Sequence, residues 1–190
     1  MPQQIEATDG GLVAMPRESL LALRTALFRD LGINAAALLQ EAGYAGGQAF
    51  FDALTNWLAS RGLPSPESLP SSEFTDRASE FLRSVGWGAI EVGTLEAAAT
   101  IDSADWAEAD PAHPMEFPGC YYSAGLLTDL FGRIVGESVA VMEVECRSMG
   151  NDRCRFLVGA VDTMQRVYDA MGEGVTYEQA LSNAASAIGS

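Results

Sequence analysis

Cations are scarce in this chain. Its 11 Lys and Arg residues stand against 26 Asp and Glu, a formal net charge of −15. A surface that negative repels phosphate backbones and anionic lipid heads, which argues against direct nucleic-acid binding. Long apolar runs are also missing, and none approaches the roughly 20 residues a membrane-spanning helix needs. The opening "MPQQIEATDGG" lacks both the basic flank and the apolar core of a secretory signal, so the expected compartment is the cytoplasm. Histidine occurs once, at His113, which leaves little material for a serine-type triad. Acid–base chemistry would then rest on carboxylates, and most of these read as surface residues. No phosphate-binding glycine loop is found: "GYAGG" lies inside a helical pattern with no strand before it. No nicotinamide or flavin fingerprint is found either.

Cysteine is the third scarcity. Three thiols are an odd number, so a disulfide framework would leave one over. In a reducing compartment they are better read as buried free thiols or as metal ligands.

What is present is a globular composition. Of the 190 residues 48% are hydrophobic, enough for one domain with a substantial core and too many for a disordered chain. Residues 1–15 read as a flexible arm, and residues 16–190 as a single domain. "PRESLLALRTALFRDLG" predicts a helix with Pro16 in its first turn, Gly32 as its stop, and Leu20, Leu23, Leu27 and Leu31 on a buried face. A second helix runs from Asn34 towards Leu58. Gly43, Gly46 and Gly47 within it cost roughly 1 kcal/mol each relative to alanine, so they predict a kink or close packing on a neighbouring backbone. After the proline- and serine-rich "RGLPSPESLPSS" a third helix covers about Ser72 to Ser84. "GWGAIEVGTLEAAATIDS" reads as a hairpin turning at Thr94 to Glu96. "DSADWAEADPAHPMEFPG" is irregular and acidic, a lid or a connection across one end of the sheet. A helix follows to Val135 with Gly136 as its stop, then a second hairpin, Ser138 to Cys146 and Arg153 to Ala160. Two helices close the chain, the second capped by Thr176. Helices, hairpin, helix, hairpin, helices is the order of an α+β domain, an antiparallel sheet covered by helices.

The cysteines fall at informative places on this map. Cys120 opens the helix after the irregular segment, Cys146 ends one strand of the second hairpin, and Cys154 begins the other. Glu143 lies just ahead of Cys146, but a regular strand would send the two to opposite faces. Joint ligation therefore demands a bulge near Val144 to Cys146. Glu145 is the alternative carboxylate, although as the neighbour of Cys146 it would point away from it. Three thiolates and one carboxylate suit a closed, structural tetrahedral zinc site. Spacing alone leaves this reading level with the plainer one, three thiols buried as small hydrophobes.

From "GWG" at residues 86–88, through "GCYYSAGLLTDLFG", to "VMEVECRSMGNDRCRFLVG", the chain resembles the 4-vinyl reductase-like, or hydrocarbon-binding, domain family. "LLQEAGYAGGQAF" resembles that family's glycine-bearing helix. Zinc-containing sensory domains of bacterial phenol- and toluene-responsive activators belong to the family. The resemblance implies a zinc ion held by Cys120, Glu143, Cys146 and Cys154. It further implies the fold of nitric-oxide-signalling and Golgi-transport ligand-binding domains, homodimer formation, and an apolar pocket for a small hydrophobic or aromatic molecule. The candidate pocket residues are Trp87, Trp106, His113, Phe117, Tyr121, Tyr122 and Phe131. Aromatics populate ordinary cores as well, and "DPAHP" reads as a loop that would leave His113 solvated.

Three functions are compatible with these observations. A zinc-stapled sensory or carrier module for a hydrophobic ligand ranks first; with no ATPase motif and no DNA-binding helix pair, it would act through a dimer or a separate output protein. A ligand-free protein–protein adaptor ranks second. A tetrapyrrole carrier or vinyl-reductase-related protein ranks third, because reduction would need a hydride source.

Overall fold

The structure, a computed structural model, describes residues 11–188; most of the expected N-terminal arm lies outside that range. Its elements are α1 (Arg17–Leu31), α2 (Asn34–Ala59), α3 (Ser71–Ser84), β1 (Glu91–Leu95), β2 (Ala98–Ser103), α4 (Tyr121–Val135), β3 (Val139–Glu145), β4 (Cys154–Ala160), α5 (Val161–Gly172) and α6 (Tyr177–Ile188). The four strands form one antiparallel sheet in the order β1-β2-β4-β3. This is the α+β architecture read from the order of elements. Among the described residues, no helix is long and apolar enough to cross a membrane.

Strand alternation gives the sheet two apolar faces. Ile101, Val141, Phe156 and Val158 point into the larger core, where they meet Leu126, Leu127 and Leu130 of α4 and Leu54 and Leu58 of α2. Ala98, Met142 and Leu157 point the other way, onto Met164 and Val167 of α5 and Leu181 of α6. Helices therefore cover both sides.

The glycines of α2 serve close packing. A Cβ on Gly43 would lie 1.9 Å from the Tyr122 carbonyl oxygen, and one on Gly125 of α4 would lie 2.0 Å from the Gln40 carbonyl oxygen. Backbone meets backbone at both points, so α2 and α4 approach as closely as two helices can. Gly47 continues the contact against Asp129.

Two expectations are corrected. The first hairpin turns at Glu96 and Ala97, since Leu95 still pairs with Ala98; Glu96 takes the left-handed conformation at φ +51°. The leucine face of α1 is not buried within the chain. Leu23 is 49% exposed and Leu31 42%, Leu20 and Leu27 are half-buried, and the buried residue of the helix is Arg24. α1 is held instead by arginines reaching the irregular segment. Arg17 donates to the carbonyls of Ala107 (2.8 Å) and Ala109 (2.5 Å), and Arg24 donates to that of Glu108 (2.5 Å).

Candidate metal centre

Cys120 sits at the N-cap of α4, Cys146 directly follows β3, and Cys154 begins β4. A register shift in the β3–β4 ladder supplies the bulge that the sequence demands. Glu143 pairs with Phe156 and Glu145 with Arg155, which leaves Val144 as the extra residue. The bulge restores the alternation on the far side, so Glu143 and Cys146 share the face that also carries Cys154.

One ligand atom from each of Cys120, Glu143, Cys146 and Cys154 lies within 4.8 Å of all the others, and all four residues are buried. The Cys120 sulfur is 3.9 Å from that of Cys146 and 4.0 Å from that of Cys154. The Cys120 backbone N–H donates to Glu143 Oε2 at 2.8 Å, while Glu143 Oε1 is buried without a hydrogen-bond partner. An orphaned buried carboxylate oxygen is costly, by about 1–3 kcal/mol or more. A cation among the three sulfurs would satisfy it. The donor set fits a metal ion, and three soft sulfurs with one carboxylate oxygen match zinc's preferences.

The protonation pattern follows from crowding. Burial pushes the Cys120 thiol well above its ordinary value and raises the Glu143 carboxyl likewise. Hydrogen bonds from Cys120 and Cys154 hold Cys146 far below the usual thiol range. The metal-free centre thus keeps one thiolate cradled by protonated neighbours, protons that a bound cation would displace.

Glu145 faces away from this cluster. It accepts from Arg153 Nε at 2.9 Å and from the Tyr177 hydroxyl on the opposite face of the sheet.

A second buried carboxylate, Glu108, corrects the reading of the acids as surface residues. It is fully buried and accepts backbone N–H bonds from Tyr122 (3.1 Å) and Ser123 (2.7 Å), together with the Ser123 hydroxyl. It thereby caps the N-terminus of α4 from another segment, where the helix's orphan donors and positive dipole end favour an anion. Burial outweighs those bonds and pushes its carboxyl up to about 7. The Trp106 indole N–H donates to Ser123 Oγ at 2.7 Å and completes the group. The sequence signal for Glu108 is weak: its neighbours in "WAEADP" are no motif, and only the apolar Trp106 and Ala109 around it hint at burial.

Some of the candidate pocket residues are brought together. Trp87 stacks parallel on Tyr122 at 5.8 Å and lies 5.6 Å from Trp106, which in turn meets Phe156 edge-on. Phe117 and Tyr121 gather around Phe28 of α1, and Phe131 meets Phe74 of α3. His113 belongs to neither group; its side chain is 81% exposed and pairs with Asp110.

An α+β domain with a closed cysteine–glutamate cluster at one end of its sheet is thus the class defined by fold and site. Residues 103–160, the stretch that supplies all four cluster residues, match the family model of the vinyl-4-reductase domain. No curated protein matches the sequence. Three solved structures share the fold. The phenol-responsive sensory domain of the transcription activator PoxR, solved with phenol, is 19% identical at TM-score 0.62, over 80% of this chain and 77% of that one. A vinyl-4-reductase family protein from Methanocaldococcus jannaschii is 18% identical at TM-score 0.53, over 80% and 85% respectively. A trafficking protein particle complex subunit 3 from Naegleria fowleri, covalently bound to palmitic acid, is 16% identical at TM-score 0.55, over 75% and 91%.

Proposed function

We propose that this chain is a sensory or carrier domain for a small hydrophobic or aromatic molecule, stapled by one zinc ion on Cys120, Glu143, Cys146 and Cys154. The observation that carries the reading is the convergence of four buried donors around an unpartnered carboxylate oxygen. With four protein ligands no position is left for water, so the ion's role is structural: it ties the start of α4 to the β3–β4 hairpin. The ligand would lie among the aromatics next to that staple, with Trp87, Trp106 and Tyr122 as its nearest candidates. Two of the fold neighbours hold an apolar molecule, phenol in one and palmitic acid in the other. The half-open leucine face of α1 supports a homodimer, because an amphipathic helix that does not bury its apolar stripe within its own chain gains by burying it against another. Output then passes through the dimer or through a separate protein.

Native mass spectrometry of protein taken directly from cells tests the three parts together. The expected species is a dimer with one zinc per chain and an apolar adduct released by mild activation. A bare monomer with neither metal nor adduct overturns the reading.

A further inference from the structure

The sheet face opposite the metal cluster carries a polar network at the same end of the strands. Arg155 makes a two-pronged pair with Asp102, both bonds at 2.7 Å, and Arg153 makes one with Glu145 at 2.9 and 3.1 Å. Tyr177, the first residue of α6, joins them: its hydroxyl donates to Glu145 and accepts from Arg155 at 3.2 Å. These residues interleave with the cluster. Glu145 precedes Cys146, and Arg153 and Arg155 flank Cys154.

The bulge at Val144 links the two faces. With the extra residue in place, Glu143 and Cys146 point together into the cluster, while Glu145 sits opposite Arg155 beneath Tyr177. Removing the bulge would turn one of the two ligands away and withdraw Glu145 from its partners at the same time, because a one-residue slip reverses every side chain beyond it. Whatever grips Glu145 therefore holds the bulge, and whatever holds the bulge keeps the four donors together.

We propose that Tyr177 is a positioning residue for the metal centre, acting through Glu145 and the Val144 bulge from the far side of the sheet. The inference rests on the metal reading above. Linkage is reciprocal for binding equilibria, so an ion on the cluster must in turn steady α6, which gives the C-terminal helices a direct report of the state of the cluster.

The test uses the full chain, made metal-free with a chelator and titrated with zinc against a competing chromophoric chelator, as wild type and as Tyr177→Phe. The variant keeps the ring and removes the hydroxyl. Amide hydrogen exchange is followed in both, with and without zinc. Tyr177→Phe is expected to bind zinc about tenfold more weakly, the loss typical of outer groups that orient metal ligands, with the melting temperature of the metal-free protein unchanged. Zinc is expected to slow exchange across residues 177–188 at least threefold in the wild type and to leave it unchanged in the variant. Equal zinc affinity in the two proteins, with exchange in α6 indifferent to zinc, overturns the inference and leaves the metal site standing. A wild type that binds no zinc removes the metal reading itself, and the inference falls with it. Should the variant not fold, the exchange of wild-type α6 decides: slowing confined to α6 and the β3–β4 hairpin supports the coupling, and slowing spread equally over α2 and α4 overturns it.

Discussion

At the scale of single residues, two buried carboxylates have opposite partners and should answer pH differently. Glu143 and Cys120 are raised by burial, and a cation must displace their protons. Zinc affinity should therefore fall as pH falls, by roughly tenfold or more per unit when one or more protons are displaced; chelator competition at several pH values reads the slope, and a flat profile would remove the protonated cluster. Glu143→Gln keeps the shape and loses the charge, and should lower zinc affinity by about 100-fold or more, beyond the loss that outer groups produce. Glu108 has no such partner. Its folded value of about 7 lies above the ordinary carboxyl range, so the folded state binds the proton more tightly than the unfolded chain does. Its contribution is complete below the unfolded value and is lost as pH rises through about 7, a change of order 3 kcal/mol. Urea midpoints of the wild type and Glu108→Gln, compared from about pH 4 to 8, should diverge in that direction. A difference that does not vary with pH would mean the carboxylate is not burdened by its burial.

At the scale of elements, the α2–α4 contact carries the sharpest expectation. Gly43→Ala and Gly125→Ala each drive a methyl into a carbonyl oxygen that belongs to a packed helix and cannot move aside. Each should destabilise by about 3 kcal/mol or more, at the upper end of overpacking costs. Gly46→Ala is the control within the same helix, since its Cβ would meet only side chains, at 3.4 and 3.7 Å. It should be neutral or stabilising by up to about 1 kcal/mol on helix propensity. Thermal melts of the three variants separate these outcomes.

The same elements show what can be read from the sequence and what cannot. Strand and helix periods place the second hairpin and α2 to within a residue or two, because both carry strong local patterns. The need for a bulge is also legible, since Glu143 and Cys146 cannot share a face of a regular strand. The glycines of α2 leave a kink and close packing equally open; the choice depends on Gly125, far along the chain and with no local signal. The leucine stripe of α1 is legible as amphipathic but not as exposed, for periodicity gives the face and not what covers it. Glu108 escapes sequence reading because a cap supplied from another segment leaves no trace in the capped helix. Tyr177 reads merely as the residue after a Thr cap. The chain has no lysine, and its sheet-face cations are arginines whose forked geometry suits the paired contacts to Asp102 and Glu145.

At the scale of the molecule, the sheet separates two cores with different tasks. One side packs aromatics and the cluster against α2 and α4, while the other fastens α5 and α6. If the α1 stripe is the contact between two chains, Leu23→Glu with Leu31→Glu should turn a dimer into a monomer in sedimentation, with little change in the melting temperature of the single chain. A dimer that survives both changes places the contact elsewhere. The centre of the account is the ion that closes the four-donor cluster. Elemental analysis of protein purified without added metal or chelator tests it most directly: one zinc per chain is the expected result, and material that is folded, dimeric and free of stoichiometric metal would contradict it.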